Sequence, residues 1–413
     1  MLEHADVIIA GGGAAGFFAA AHIAEASPGA RVIILEKSAE VLAKVRVSGG
    51  GRCNVTHAEF VPRELASYYP RGQKELLGPF HSFCSGDTIA FFENRGVALK
   101  TEEDGRMFPE TDASQTIIDC LLRETTQRGV RVFTGYGIRE INVRGTGWEV
   151  ITAKGSLTCD KLLIATGSSP KMWDVIRQLG HTIVPPVPSL FTFHVKDPRI
   201  SGLMGLSATV SVRLSGTAQD HMIFEGPLLI THWGMSGPAV LKLSAWKARE
   251  LYDRNYRFPI EVNWLHSVTF GEALDVLRTQ REVCGKKNIM TSGPFDLPRR
   301  LWVKLAASAG IADEDRWAEV RKELLENLAA QLTKSVFRVQ GKSTFKEEFV
   351  TAGGVDLREI DFRTFESRIR ENLFFAGEVL NIDAVTGGFN FQNAWTGGYM
   401  AARAISSKLR ETP

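Results

Sequence analysis

Three glycine-rich segments carry most of the side chains that could bind a cofactor. The first is Gly11-x-Gly13-x-x-Gly16, which is followed 20 residues later by Glu36. Glycines at this spacing allow a tight turn, a close approach of the backbone to a pyrophosphate, and close packing of a helix on a strand. A carboxylate at the end of the next strand can accept hydrogen bonds from a ribose. The segment predicts a dinucleotide site formed by Gly11, Gly13, Ala14, Ala15, Gly16, Glu36 and Lys37.

The second segment is Ser48-Gly-Gly-Gly-Arg-Cys-Asn54. Its consecutive glycines expose N–H groups that can form an anion-binding nest. Arg52 can pair with phosphate or can belong to a structural turn, and Asn54 offers both a donor and an acceptor. Cys53 favours a packed thiol over a redox role, because the nearest cysteine in the chain is Cys84. We expect the loop to line the cofactor through Ser48, Gly49, Gly50, Gly51, Arg52, Cys53 and Asn54.

The third segment combines Ala376-Gly377-Glu378, Asp383 and the run from Gly387 to Gln392. A carboxylate just past a strand end can bind a ribityl hydroxyl. A glycine pair that opens a helix directs N–H groups at the negative edge of a reduced flavin. NAD would not need a further set of polar residues at the far end of the chain, so the pattern favours FAD. The predicted contacts here are Gly377, Glu378, Asp383, Gly388, Phe389, Asn390 and Gln392, together with Ile138, Thr166 and Gly167 from the middle of the chain.

A fourth segment, Thr231–Pro238, concentrates an imidazole, two hydroxyls and an indole. His232 could relay a proton to or from a substrate, or it could fix the loop by hydrogen bonds. Arg106, in Gly105-Arg-Met-Phe-Pro109, could bind a carboxylate or phosphate, or form a salt bridge within the fold. The predicted catalytic residues are His232, Thr231, Ser236 and Arg106, and we expect no metal site.

Periodicity predicts the elements that position these segments. Strands over Asp6–Ala10 and Arg31–Leu35 flank a helix over Ala14–Ala26, which is a βαβ opening. Further helices are predicted at Phe83–Asn94 and at Ser114–Arg128, the second with Asp112-x-x-Gln115 as a capping box. Short strands are predicted at Arg131–Phe133, Ile138–Val143, Trp148–Ala153 and Lys161–Ile164.

The pattern changes at Val184–Pro188, a proline cluster that we interpret as a stiff crossover between domains. Residues 189–265 look β-rich. Thr269-x-x-Glu272 is a capping box that opens a helical stretch over 270–335. A strand at Leu373–Ala376 and a helix over 388–409 close the chain.

The predicted fold class is α/β, with a discontinuous Rossmann-like FAD-binding domain made of residues 1–187 and 345–413. An inserted substrate domain would occupy residues 188–344. Within it we expect β-rich parts at 188–265 and 336–344 and a small helical subdomain at 266–335.

Composition limits the partners. The 413 residues include 49 basic and 47 acidic side chains, which gives a net charge of +2. A charge this close to zero does not indicate binding to nucleic acid or to an anionic membrane. The apolar run Val7–Ala21 is too short to span a bilayer. The five cysteines are at least 31 positions apart, which favours reduced thiols and the cytoplasm. The oligomeric state stays open.

Several of these motifs, in their order along the chain, resemble the motifs of one bacterial FAD-dependent family. That family includes aminoacetone oxidases and flavin-dependent bile-acid 4,6-reductases. The residues that carry the resemblance are Glu36-Lys37, Ser48–Asn54, Gly105–Pro109, Thr231–Pro238, Val350–Val355 and the tail from Ala376 to Gln392. The resemblance implies a fold of the two-dinucleotide-binding type, with an inserted β-barrel and helical region, and bound FAD. The chain departs from the family pattern at residues 43–47 and at His57.

The expected function is that of a flavoprotein oxidoreductase that moves hydride between a small organic substrate and flavin N5. Dioxygen or transiently bound NAD(P)H would complete the cycle, and the family includes both oxidases and reductases. A single G-x-G-x-x-G and the lack of a close cysteine pair argue against disulfide reduction. The alternatives are an RNA-acting flavoprotein and a catalytically silent FAD-binding protein.

Overall fold

The computed structural model describes residues 3–216, 222–343 and 350–411. The chain forms two compact units. The first, here the nucleotide unit, consists of Met1–Val187 and Lys346–Pro413, and the second, the inserted unit, is Pro188–Phe345.

The first part of the nucleotide unit alternates strands and helices. Its strands are β1 (Glu3–Ala10), β2 (Val32–Glu36), β3 (Thr56–His57), β4 (Leu99–Thr101), β5 (Arg106–Pro109), β6 (Arg131–Thr134), β7 (Ile138–Arg144), β8 (Gly147–Thr152), β9 (Gly155–Ile164) and β10 (Ile183–Ser189). Its helices are α1 (Ala14–Ala26), α2 (Ala43–Val47), α3 (Pro62–Ser67), α4 (Gln73–Ser82), α5 (Ser85–Glu93), α6 (Ser114–Gln127) and α7 (Pro170–Gln178).

The inserted unit begins with strands and ends with helices followed by a strand. Its strands are β11 (Thr192–Val195), β12 (Ser207–Leu214), β13 (Phe224–Ile230), β14 (Gly234–Ser236), β15 (Phe258–Asn263) and β16 (Ser335–Ser343). Its helices are α8 (Pro238–Trp246), α9 (Ala248–Asp253), α10 (Phe270–Val283), α11 (Arg299–Ser308) and α12 (Lys322–Thr333).

The chain then returns to the nucleotide unit. The last elements are β17 (Val350–Val355), β18 (Ile360–Asp361), β19 (Glu366–Ser367), β20 (Leu373–Phe375) and the long helix α13 (Phe389–Glu411).

A nine-stranded sheet forms the centre of the nucleotide unit. Its main order is β18-β19-β20-β9-β1-β2-β6, with β8 and β7 attached through β9. The four central pairings, from β20 to β6, are parallel. Strand β20 comes from the end of the chain and lies beside β9, so both ends of the sequence build one sheet.

Helices α1 and α13 pack against each other through small residues. A Cβ at Gly398 would lie 2.8 Å from the carbonyl oxygen of Ala15, and one at Gly397 would lie 3.0 Å from the Phe365 ring. The glycine pair inside the last helix therefore serves close packing.

The inserted unit contains a closed six-stranded barrel in the order β11-β14-β13-β12-β15-β16. In β12, Val210, Val212 and Leu214 are buried while their neighbours are more exposed, which is the alternation of a strand with one face in the core. Helix α10 opens with the predicted capping box, in which Thr269 Oγ1 accepts from Glu272 N and the Glu272 carboxylate accepts from Thr269 N. Barrel and helices share one apolar core.

Two predictions about local structure were wrong. Asp112 does not cap α6, whose N-cap is Ala113 without a side-chain bond; the Asp112 carboxylate pairs with Arg52 and Lys100 instead. The prolines of 184–188 lie within β10, which pairs with β17, and the boundary between the two units falls between Val187 and Pro188, inside the predicted crossover. Residues 189–265 also contain α8 and α9 and are not β-rich throughout.

Within the described part of the chain, no helix has both the length and the apolar character needed to cross a membrane.

Candidate functional site

The carboxyl ends of four parallel strands meet at one edge of the nucleotide sheet. In register, Ala10 of β1 lies opposite Leu35 of β2 and Ile164 of β9, and Ile164 lies opposite Phe375 of β20. Ligands of open α/β sheets bind at the carboxyl ends of the strands. The residues at or just after these ends are Gly11–Gly13, Glu36, Ala165–Gly167 and Ala376–Glu378.

Of Gly11, Gly13 and Gly16, the three glycines of the motif, two serve packing and one faces open space. A Cβ at Gly11 would overlap the carbonyl oxygen of Ala165, and one at Gly16 would overlap the carbonyl oxygen of Gly11. A Cβ at Gly13, the N-cap of α1, would meet nothing within 4 Å. Space directly in front of a helix N-terminus is where an anionic group is stabilised.

Glu36 closes the same turn. Its carboxylate accepts hydrogen bonds from the backbone N–H groups of Gly12, at 2.9 Å, and Ser38, at 2.8 Å. These bonds fix the carboxylate beside the helix N-terminus and leave it lone pairs for further donors. Lys37, the next residue, is exposed, and Ile138 begins β7.

The second segment forms a 3₁₀ turn over Ser48–Gly51 in which three glycines have positive φ. A Cβ at Gly49 would lie 2.9 Å from the Phe108 ring, whereas nothing lies within 4 Å of one at Gly50 or Gly51. Ser48 Oγ donates to Val45 O at 3.0 Å. The loop therefore packs through its first glycine and leaves two backbone positions open.

The loop and the N-terminus of α13 are bonded directly to each other. The Asn54 amide donates to Thr56 O and accepts from Gly388 N, each at 3.0 Å. The Nδ1–H of His57 donates to Gly387 O at 3.0 Å. A Cβ at Gly388 would lie 2.5 Å from Thr56 O, so only glycine allows this approach. The structure thus brings the second and third segments together.

Two ion pairs connect the carboxylates of the tail to earlier parts of the chain. Lys44 of α2 pairs with Glu378, and Arg71 pairs with the fully buried Asp383 through two parallel hydrogen bonds. Nothing in the sequence pattern pointed to Lys44 or Arg71 as partners, because their sequence separations from these carboxylates exceed 300 residues.

Three further tail residues have internal partners. Gln392, fully buried, accepts from the hydroxyls of Thr56 and Thr88 and donates to Thr396. Asn390 bonds both backbone groups of Ala384. The Phe389 ring stacks on Tyr68 with centroids 4.1 Å apart and also contacts His57, whose pKa is lowered by burial. Their predicted contact with a cofactor stays a prediction.

Thr166, at the end of β9, has a buried hydroxyl oxygen without a hydrogen-bond partner. It follows Ala165, the residue against which Gly11 packs. Gly167, the next residue, lies near Glu378: a Cβ there would be 3.8 Å from Oε2. A buried polar atom without a partner is costly unless a ligand or water completes it, so the Thr166 hydroxyl can accept a hydrogen bond from either, or donate one to it, at the strand ends.

The two predicted arginines are both engaged within the fold. Arg52 bonds Glu102 at 2.6 Å and lies over the Phe108 ring at 3.9 Å. Arg106 pairs with Glu102 and Asp104, at 2.9 and 2.7 Å. For Arg106 the structure shows the salt-bridge alternative that the sequence had left open.

The five cysteines are free thiols. Cys53 is fully buried, and burial raises the pKa of its thiol to about 12. A protonated, enclosed sulfur is a poor nucleophile, which supports the packed-thiol interpretation.

The substrate-side segment lies in the inserted unit. Thr231 Oγ1 accepts from the backbone N–H groups of Trp233 and Gly234, at 3.3 and 3.2 Å, and Ser236 accepts from Thr192 at 2.9 Å. His232 is exposed. The hydrogen bonds that fix this loop therefore come from Thr231 and Ser236.

A family model described as "HI0933-like protein Rossmann domain" matches residues 5–404. The chain belongs to this family. The match confirms the Rossmann-type fold and the resemblance found in the motifs.

Two curated relatives match this chain over nearly the full length of both proteins. A ribosomal RNA dihydrouridine synthase of Escherichia coli K12 is 30% identical, over 98% of this chain and 98% of the relative. A 3-dehydro-bile acid delta(4,6)-reductase of Clostridium scindens is 26% identical, over 97% and 98%. A solved 3-ketosteroid-delta4-(5alpha)-dehydrogenase of Rhodococcus jostii RHA1 shares the fold, with a TM-score of 0.52 at 12% identity over 98% and 97% of the two chains.

Proposed function

We propose that this HI0933-like protein is an FAD-dependent reductase of carbon–carbon double bonds conjugated to a carbonyl group. The observation that carries the proposal is the meeting of three glycine-rich segments, from both ends of the chain, around one edge of a parallel sheet.

The residues present at this edge fit FAD. Gly13, Gly50 and Gly51 leave open backbone positions suited to phosphate oxygens. Thr166 offers an unpaired buried hydroxyl, and the Glu36 carboxylate is held rigidly for a ribose. This donor set serves a long anionic dinucleotide with polar groups along its length.

When bound, FAD supplies hydride exchange at N5. The chain's residues would bind and orient: α1 would hold the pyrophosphate, and the N-terminal turn of α13 would place positive potential beside the flavin edge that carries negative charge. The bonds from Asn54 and His57 would keep that turn in place.

The relatives support reduction as the direction. Dihydrouridine differs from uridine by two hydrogens across a double bond next to a carbonyl, and a delta(4,6) bile acid with a 3-oxo group contains the same conjugated unit. Both products require a hydride at the carbon remote from the carbonyl and a proton at the carbon beside it. We propose His232 as the proton donor, with Thr231 and Ser236 holding its loop.

A second candidate substrate is uridine within RNA, which is favoured by the name of the Escherichia coli relative. The expectation that nucleic acid is not a partner rested on net charge, and it stays a prediction for this chain.

The test begins with cofactor loading. Gly13→Ala would fill the open position in front of α1, so we expect FAD affinity to fall at least tenfold while the melting temperature of the FAD-free protein stays within about 2 °C. Gly78→Ala is a matched control, because a Cβ there also meets nothing within 4 Å. Equal FAD affinity in wild type and Gly13→Ala would contradict the proposed pyrophosphate position.

Turnover is then followed anaerobically through the flavin absorbance. NADH or NADPH should bleach the flavin, and a steroid enone or a uridine-containing RNA should restore the colour. His232→Gln should slow reoxidation at least tenfold and leave bleaching unchanged. Bleaching by amines in place of pyridine nucleotides would show an oxidase, and spectra unchanged by every donor would favour the catalytically silent alternative.

A further inference from the structure

Trp233 is the one tryptophan of the chain that is largely exposed. Its residue surface is 61% exposed, whereas six of the other seven tryptophans are at most 3% exposed and Trp246 is half-buried. A large aromatic surface left in water loses the free energy that burial would provide. Such a residue is a common anchor for a binding partner.

The backbone that carries the exposed indole is held by hydrogen bonds. The Trp233 N–H donates to Thr231 Oγ1, and its carbonyl accepts from Val195 N at 3.0 Å. Gly234, which follows it, has positive φ, and a Cβ there would overlap β11. The side chain is thus presented by a loop that is pinned to the barrel on both sides.

His194 extends the aromatic surface. Its ring stacks against Trp233, with centroids 6.0 Å apart and an interplanar angle of 29°. On β16, a Cβ at Gly341 would lie 3.4 Å from His194 Nδ1, and Ser343 bonds His194 Nε2. The two rings form an aromatic surface, the Trp233–His194 platform, beside strands β11, β14 and β16 of the barrel.

Basic groups accompany the platform. Lys196 follows the end of β11, two residues after His194, and is exposed, and His232 is exposed beside Trp233. The inserted unit as a whole has 21 basic and 16 acidic residues, so its formal charge is +5, whereas the nucleotide unit has 28 and 31, a charge of −3. The two formal charges sum to the net charge of +2, so the net charge does not reveal that the inserted unit is basic.

We propose that the Trp233–His194 platform is a stacking site for a base of single-stranded RNA, with a neighbouring phosphate at Lys196. Aromatic rings that carry unpaired bases beside basic side chains are the usual means of binding single-stranded nucleic acid. The proposal rests on the second candidate above and specifies which surface of the inserted unit meets the RNA.

The experiment measures binding of a fluorescein-labelled twelve-residue oligouridylate to the full-length, FAD-loaded protein by anisotropy at about 50 mM salt. Trp233→Leu should weaken binding about 5- to 100-fold, the range found for loss of one stacked base. Trp233→Phe should stay within about threefold of wild type, and Lys196→Gln should reduce the slope of log binding constant against log salt concentration by about the amount expected for one phosphate contact. Tyr252→Leu is the matched control, since Tyr252 is 51% exposed in the same unit.

Equal binding by wild type and Trp233→Leu, or no binding by wild type, overturns the proposal. So does a result in which Trp233→Leu loses affinity for a steroid enone while oligouridylate binding is unchanged, because the platform would then hold a small ring system. Binding is measured without turnover, and FAD loading is read from absorbance. Failure of the stacking site therefore leaves the reductase proposal standing, and failure of FAD loading is seen separately.

Discussion

Cys53 shows how burial determines the chemistry of a single residue in the second glycine segment. The thiol is fully enclosed with a pKa of about 12, and burial also raises the pKa of Cys120 to about 11 and that of Cys159 still further. Since thiolates are the reactive species, we expect a thiol reagent at pH 8 to modify only the half-buried Cys84 and Cys284 quickly. Peptide mass spectrometry would check this.

Complete labelling after denaturation is the control for that experiment. Fast modification of Cys53 in the native protein would contradict the packed-thiol interpretation and restore a redox role.

His22 on α1 should make the protein sensitive to acid. Burial, with Arg95 and Arg128 nearby, lowers the pKa of His22 to about 3, and its Nε2 is buried without a partner. The unfolded chain therefore binds a proton below pH 6.5 that the folded chain does not bind until about pH 3. Stability should fall as pH falls through this window, by up to about 1.4 kcal/mol per pH unit.

Urea titrations between pH 7 and 4 would measure this slope for wild type and His22→Phe. The variant should show a shallower loss of unfolding free energy, whatever its stability at pH 7. Parallel slopes in the two proteins would show that His22 is not the responsible group.

Residue roles that depend on local geometry were predictable, and those that depend on distant partners were not. The spacing of Gly11 and Gly16 implies the close contacts that the structure shows. By contrast, the pairing of Arg71 with Asp383 depends on how the tail folds back, and the bonds of Gln392 to Thr56 and Thr88 place it in the interior.

At the scale of elements, the capping box of α10 should contribute measurable stability. Thr269→Ala removes the oxygen that accepts from Glu272 N and the partner of the Glu272 carboxylate. Losing such a cap costs about 1 kcal/mol. Chemical denaturation followed by tryptophan fluorescence, which reports on five tryptophans in the inserted unit, would detect it.

Thr279→Ala in the same helix is the control, because its exposed hydroxyl only bonds Asp275 O within α10. An equal loss of unfolding free energy in both variants would show that the capping box does not stabilise α10 more than an ordinary threonine hydroxyl does.

Elements whose ends are determined by neighbouring residues were predicted correctly, and features that depend on residues distant in sequence were not. The boundaries of α1 agree with the pattern, since a glycine turn and an apolar helix fix them nearby. The pairing of β10 with β17 was not predicted, because the two strands lie more than 150 residues apart in the sequence. Asp112 was misread because its pairing with Lys100 and Arg52 competes with capping.

For the whole molecule, FAD should stabilise segments that are far apart in sequence. Hydrogen exchange should slow most in residues 11–16, 48–54 and 377–390 when FAD is added, and FAD at 100 times its Kd should raise the unfolding free energy by about 2.7 kcal/mol. NAD⁺ at equal concentration should protect the first segment alone. Equal exchange with and without FAD in the tail would contradict a site built from both ends.

The position of β20 beside β9 has a consequence for synthesis of the protein. About 200 residues separate the end of β9 from β20, so at translation rates of roughly 5–20 residues per second the two strands emerge some 10–40 s apart. Until then the Leu162–Ile164 edge of β9 lacks its partner, and unpaired edges promote aggregation. All strands of the barrel in the inserted unit are made before β20, whereas the nucleotide sheet is complete only after β20 has emerged.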